Sequence, residues 1–80
     1  MAQFSNREVS DLYKMIGLNV KKLRELNNMT QLELSMEMGY KSVSLISAAE
    51  LNNDDKHFNI EHLYKISKIL DIKIEEFFRS

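Results

Sequence analysis

The sequence predicts an all-α fold, built as one compact domain of five helices over residues 1–80. Three observations support this prediction: apolar residues recur at spacings of three and four, proline is absent, and the chain has only two glycines. Apolar residues make up 44% of the chain, which is typical of a folded domain rather than a disordered one. A chain of this size buries only about 60% of its unfolded surface, so a second subunit would help to stabilise it.

The first helix is predicted to begin after Ser5 and to end near residues 27–28. Ser5 and Glu8 have the spacing of a capping box, in which two side chains satisfy free N–H groups at a helix start. Apolar residues from Val9 to Leu23 then form one stripe of an α-helix. Gly17 lies within this stripe, where glycine costs about 1 kcal/mol relative to alanine, so the helix has a weak point there.

A helix-turn-helix is predicted over residues 30–51. Thr30 and Glu33 form a second capping box, which opens a short helix that ends before Gly39. Glycine at that position fits the left-handed backbone just beyond a helix end. A third helix is expected from residue 42 to residue 51. Two short helices joined by a tight glycine turn have the layout of a helix-turn-helix.

Two further helices are predicted over residues 60–78, after a polar turn at residues 52–58. Asn59 is placed to cap the fourth helix, and a short fifth helix is expected over residues 74–78. The apolar stripe of the fourth helix consists of Ile60, Leu63, Ile66 and Leu70. These two helices are expected to complete the core and to supply a dimer contact.

The formal net charge of −1 is unusual for a DNA-binding domain, which is usually basic. Charges can nevertheless be segregated on the surface of a small protein. Basic residues up to position 41 include Lys14, Lys21, Lys22, Arg24 and Lys41, and acidic residues from position 54 onward include Asp54, Asp55, Asp71, Glu75 and Glu76. The net charge argues against tight nonspecific DNA binding, but it permits one basic face on the protein.

Several classes of protein are excluded or disfavoured by composition. The absence of cysteine excludes disulfides, zinc fingers and thiol catalysis. The chain has no Gly-rich phosphate loop and no GxSxG-type turn, so we expect no enzyme, no cofactor and no small-molecule ligand. No apolar run approaches the ~20 residues that span a membrane, and an apolar signal core is absent at the N-terminus. We therefore expect a cytoplasmic protein without membrane contact.

The two histidines present one alternative to this interpretation. His57, Glu61 and His62 are close in sequence, and imidazole and carboxylate groups are metal ligands. A polar loop and a solvated helix face explain the same residues without a metal. We expect no metal site.

A series of short motifs runs through the chain in a fixed order. They consist of Ile16-Gly17 with Val20, Leu23 and Arg24; Thr30-Gln31 with Leu34; Gly39; Ile46-Ser47 with Glu50; and Leu63, Ile66, Leu70, Ile74 and Phe77. In this order and spacing they resemble the lambda-repressor-like, Cro/CI-type (XRE) helix-turn-helix family over about residues 16–78. The resemblance implies a compact five-helix DNA-binding domain with a central helix-turn-helix.

The resemblance also implies a role for individual positions. Arg24 would pair with Glu50 and fix the third helix against the first. The residues expected to contact base edges are Ser42, Val43, Ser44, Ser47 and Ala48. The residues expected to contact phosphates are Thr30, Gln31, Lys41, Asn53 and Lys56.

The region that would read bases departs from the usual pattern of the family. It holds no arginine, glutamine or asparagine, so bidentate base recognition is not available there. Serine hydroxyls, a contact of Val43 with a thymine methyl, and DNA shape must contribute more. Packing of Val43 into the core is the alternative for that side chain. The spacing from Gly39 to Glu50 is also one residue longer than in most members.

The function implied is a transcriptional regulator that binds a short double-stranded DNA operator as a homodimer. Ile74, Phe77 and Phe78 are expected at the dimer contact, with the N-terminal arm, residues 1–4, as the competing site. Phage repressors, restriction–modification controllers and antitoxins all fit this description. The alternative is a protein-interaction module that keeps the fold without specific DNA binding, which the acidic balance supports.

Overall fold

The computed structural model describes residues 2–80, apart from the side chain of Asp54. Met1, the first residue of the expected arm, lies outside the described residues. The described chain forms four α-helices and two 3-10 helices: α1 Asn6–Leu26, α2 Gln31–Glu37, α3 Ser44–Leu51, a 3-10 helix Asn53–Asp55, α4 Ile60–Leu70 and a 3-10 helix Ile74–Phe78. The all-α class is confirmed.

The predicted count of five helices is wrong, because the last helical segment is not an α-helix. The segment Ile74–Phe78 has five residues, and extended backbone at Lys73 and Arg79 flanks it. The N–H of Glu76 donates to the carbonyl of Lys73, three residues back, over 3.0 Å. That bond is the i to i+3 pattern of a 3-10 helix, which is common in pieces this short.

Helix α1 is continuous through Gly17. The Ser5 hydroxyl accepts the N–H of Glu8 over 3.2 Å and caps the helix start. A side chain at Gly17 would collide with α3, since an ideal Cβ there would lie 2.5 Å from the carbonyl oxygen of Ala49 and 2.7 Å from that of Glu50. Glycine is therefore required by the close approach of two helices and does not mark a break.

The helix-turn-helix begins as predicted, but its second helix starts later. Both bonds of the Thr30–Glu33 capping box are present, and Gly39 has a φ of 91°, a value that favours glycine. Helix α3 begins at Ser44 rather than at residue 42. The Ser42 hydroxyl accepts the N–H of Ser44 over 3.3 Å, and this local turn leaves Ser42 outside the helix.

Helix α4 has a capping box in which a histidine takes the place of the usual glutamate or glutamine. The Asn59 side chain accepts the N–H of His62 over 2.8 Å, and His62 Nδ1 accepts the N–H of Asn59 over 3.0 Å. The helix ends at Leu70, and Asp71 follows in the left-handed conformation. The capping by Asn59 predicted from the sequence is therefore present.

One hydrophobic core joins all four α-helices and the C-terminal 3-10 helix. Its buried apolar members are Ile16, Val20, Leu34, Met38, Ile46, Ala49, Phe58, Leu63, Ile66, Leu70 and Phe77. Asn19 on α1 also holds the C-terminal segment, because its Nδ2 donates to the carbonyls of Phe77 and Arg79 over 2.8 and 2.6 Å. None of the helices in residues 2–80 has the length and apolar character needed to cross a membrane.

Candidate nucleic-acid interface

A buried ion pair fixes α3 against α1. Arg24 Nε and Nη2 donate to the two carboxylate oxygens of Glu50 over 2.7 and 3.0 Å, and Nη1 donates to the carbonyl of Met29 over 2.7 Å. Arg24 is 6% exposed and Glu50 is 1% exposed. The hydrogen bond to Glu50 raises the pKa of the Arg24 guanidinium above its ordinary value. The ion pair expected from the resemblance is thus formed in the structure.

The side chain of Gln31 also bonds to this carboxylate. Its Nε2 donates to Glu50 Oε1 over 3.0 Å, so the first residue of α2 is tied to the last turn of α3. The sequence predicts only a phosphate contact for Gln31, and no local pattern indicates the bond to Glu50. An amide nitrogen carries two hydrogens, so one donor of Gln31 remains for a phosphate.

The five predicted base-contact residues lie at the start and along one side of α3. Ser42, Val43 and Ser44 are exposed, and Ser47 and Ala48 are half-buried. Residues 44, 47, 48 and 51 follow the helical spacing of one face. The buried residues of α3, Ile46, Ala49 and Glu50, face the core. Val43 is 36% exposed and is not a core residue.

Leu51 belongs to the same exposed face, although the sequence analysis did not select it. It is 56% exposed at the last position of α3. The signal that could have found it is the spacing of three and four from Ala48 and Ser47.

The predicted phosphate-contact residues other than Gln31 are all exposed and flank α3 on both sides. Thr30 precedes α2 and Lys41 lies in the turn before α3, whereas Asn53 and Lys56 follow α3. The Thr30 hydroxyl already accepts the N–H of Glu33 over 3.0 Å. It can still donate its own hydrogen, because a hydroxyl is both donor and acceptor.

The exposed charges of α2 and the following turn are more acidic than basic. Glu33 and Glu37 are exposed there, against the single exposed cation of Lys41. The backbone N–H of Thr30 donates to Glu33 and lowers the pKa of that carboxyl, so it stays ionised. Fixed negative charge close to the start of α2 weakens attraction to phosphate.

Both histidines are engaged in contacts within the protein. The ring of His57 stacks on that of Tyr13, with centroids 3.7 Å apart, and His62 is part of the α4 cap. Burial lowers the pKa of His62. Among the described residues, no group of three or more His, Cys, Asp or Glu side chains is placed to hold a metal ion.

The residues expected at a dimer contact differ in their exposure. Phe77 has no exposed surface, so its assignment to a dimer contact is wrong: the C-terminal 3-10 helix folds this ring into the core. Ile74 is half-buried and Phe78 is 41% exposed. Phe78 lines an apolar groove of about 320 Å³, together with Leu12 and Ile60.

A pair of short helices joined by a glycine turn, and anchored on α1 by an ion pair, defines a helix-turn-helix protein. Residues 20–77 match the helix-turn-helix family model of the Cro/CI-like (XRE) type. The match covers most of the chain, and the chain therefore belongs to this family of DNA-binding domains. No curated protein and no solved structure matches the chain.

Proposed function

We propose that this protein is a sequence-specific transcriptional regulator, without catalytic activity, that binds a short DNA operator as a homodimer. The exposed face of α3 is the observation that carries this proposal. A recognition helix must be fixed in orientation and yet free on the side that enters the major groove. Hydrogen bonds among Arg24, Gln31 and Glu50 hold α3 in place on its buried side. Residues 42–44 remain exposed at its start.

Contacts to the DNA backbone would orient the protein on the duplex. Helix α2 would lie across the backbone, with Thr30 and the free donor of Gln31 directed to one phosphate. Lys41 would approach a phosphate before α3, and Asn53 and Lys56 after it. Such contacts position the protein but carry no sequence information. Because they include only two lysines, we expect a shallower dependence on salt than for a basic homologue.

A homodimer would supply the affinity that one such unit lacks. One helix-turn-helix reaches only a few base pairs, whereas a dimer contacts two half-sites about 34 Å apart on one face of the duplex. The apolar surface around Phe78, Leu12 and Ile60 is the surface we assign to the contact. A two-fold axis there would bury the same patch of both subunits.

Selection of bound sequences from random DNA tests the proposal. The wild-type protein should enrich a two-fold symmetric motif. Gln31→Ala should bind both that motif and random DNA more weakly, because it loses a phosphate contact and also the hydrogen bond that ties α2 to Glu50. Gln3→Ala is the matched control, because Gln3 is exposed and lies before α1, and it should bind like the wild type.

A protein-interaction module is the second candidate function. The exposed carboxylates of Glu33 and Glu37, against Lys41 alone, favour it. In that case selection should return no motif, and binding should be absent even at low salt. That pair of results would overturn the DNA-binding proposal and favour the second candidate.

A further inference from the structure

The exposed face of α3 carries neither a charged side chain nor an amide. The one charged residue of the helix, Glu50, is buried with Arg24. The outward positions hold Ser44, Ser47, Ala48 and Leu51, and Val43 precedes them at the helix cap. Apolar groups therefore occupy the start, the middle and the end of the surface that would face the bases.

The major groove offers one apolar feature to such a surface. Among the four bases of DNA, only thymine presents a methyl group there, on C5, and the polar base-edge groups of the groove are donors or acceptors. Cytosine presents the same group when its C5 is methylated. Hydroxyls can bond to several base edges, so the two serines do not by themselves distinguish one base from another.

We propose that α3 recognises the 5-methyl groups of pyrimidines, through Val43, Ala48 and Leu51. This inference rests on the proposed function, since it requires that α3 enters the major groove. The residues are spaced to meet several bases: eight residues of helix rise about 12 Å, which corresponds to between three and four base steps. Sequence preference then comes from buried methyl groups and not from bidentate hydrogen bonds.

Replacement of thymine by deoxyuridine in the selected operator tests this inference, because it removes only the methyl group. Binding should weaken about four-fold for each contacted methyl group removed. This is the value expected when the burial of one methyl-sized group is lost. A second probe carries 5-methylcytosine in place of the operator's cytosines. If this probe binds more tightly than the unmodified operator, methylated cytosine supplies a recognised 5-methyl group. If the deoxyuridine probe binds more weakly than the unmodified operator, thymine supplies one.

Variants connect the effect to the named side chains. Leu51→Ser and Val43→Ser should each reduce the ratio of the affinities for the thymine and deoxyuridine probes, measured with the same variant on both. Leu18→Ser is the matched control, because Leu18 on α1 is 57% exposed and Leu51 is 56% exposed. This control should keep the full difference in affinity between the thymine and deoxyuridine probes.

Three results would overturn the inference, and they distinguish its failure from the failure of the proposed function. A protein that selects an operator but binds all these probes equally retains the proposed function without methyl recognition. The same conclusion follows if Leu51→Ser and Val43→Ser both keep the full difference. A protein that binds no DNA at low salt loses the proposed function and this inference together.

Discussion

The side-chain amide of Gln31 lies 3.0 Å from Glu50 Oε1, on the carboxylate that also receives two N–H groups of Arg24. Three helices thus meet at one buried carboxylate: α1 through Arg24, α2 through Gln31 and α3 through Glu50. Charge-assisted hydrogen bonds of this kind are stronger and more directional than those between neutral groups. The relative orientation of α2 and α3, on which any major-groove contact depends, is therefore coupled to a single side chain.

Loss of Arg24 should destabilise the protein strongly. Arg24→Met leaves the Glu50 carboxylate buried without its cation, and we expect a loss of about 3 kcal/mol in the free energy of unfolding. Urea unfolding followed by circular dichroism measures it. Arg7→Met, at an exposed position of the same helix, is the control and should unfold like the wild type. An Arg24→Met protein as stable as the wild type would contradict the role of the pair.

Removal of both charges should lower the free energy of unfolding by less than the sum of the losses in the two single variants, Arg24→Met and Glu50→Leu. The double variant Arg24→Met, Glu50→Leu has no unpaired buried charge, so part of the stability should return. It should nevertheless lose DNA affinity, because Gln31 no longer has an acceptor that ties α2 to α3. A double variant that is stable and binds DNA normally would show that the carboxylate is not needed to orient the helices.

Gly17→Ala should destabilise the protein even though alanine is the better helix former. The added Cβ would lie 2.5 Å from the carbonyl oxygen of Ala49, and overpacking of this kind costs about 1–3 kcal/mol. That cost outweighs the gain of about 1 kcal/mol in helix propensity. Gly39→Asn is the comparison, because Gly39 needs only a positive φ and has open space around it. We expect a smaller loss there by the same unfolding assay.

Local signals explain which elements were predictable from the sequence. The Thr30–Glu33 capping box and the Asn59 cap each depend on residues three positions apart, and both are present. The spacing of apolar residues likewise identified α1 and α4. Helix α3 has no such signal at its start, since Val43 makes no side-chain capping bond, and it begins two residues later than the sequence predicts.

Contacts between distant residues account for what the sequence analysis missed. Nothing near Gly17 indicates that α3 passes against it, and nothing near Gln31 indicates a bond to Glu50. Phe77 and Phe78 are adjacent and chemically alike, and in the sequence only the spacing from Leu70 and Ile74 distinguishes the ring that enters the core. Asn19 decides this outcome in part, because it bonds to the carbonyls of Phe77 and Arg79.

Ser35→Ala should stabilise the protein. Ser35 is fully buried in α2, and its hydroxyl has no hydrogen-bond partner among the residues that the structure describes. Its removal relieves a desolvation cost of about 1 kcal/mol, and alanine is also the better helix former. Ser67→Ala is the matched control, since Ser67 is a buried serine whose hydroxyl donates to the carbonyl of Tyr64 over 2.6 Å. Equal effects of the two changes on the melting temperature would contradict this explanation.

His62 should make stability fall as the pH falls. Its Nδ1 accepts the N–H of Asn59, which only the neutral ring can do. Burial lowers the pKa of His62 in the folded protein, although the neighbouring Glu61 carboxylate acts in the opposite direction. The unfolded chain therefore takes up the proton at a higher pH than the folded protein. This contribution is present above the ordinary histidine value of about 6.5 and is lost as the pH falls through the folded-state pKa.

Urea unfolding at about pH 7.5 and about pH 5 measures this loss of stability. In His62→Gln the side chain still caps α4 but does not titrate, so it should lose less stability between the two conditions. His57→Gln leaves the cap and the burial of His62 in place and removes only the smaller effect of the His57 charge on its pKa, so most of the wild-type dependence should remain. If His62→Gln also keeps it, the pH dependence arises elsewhere.

Phe78→Glu should convert the proposed homodimer to a monomer. Phe78 is 41% exposed beside an apolar groove, and a carboxylate introduced there would be desolvated and repelled by its copy across a two-fold axis. Light scattering gives the mass, and circular dichroism verifies that the variant remains folded. Phe4→Glu tests the competing arm, because Phe4 is 82% exposed ahead of α1, and this variant should remain a dimer. A dimer that survives Phe78→Glu but dissociates with Phe4→Glu would place the contact at the N-terminal arm.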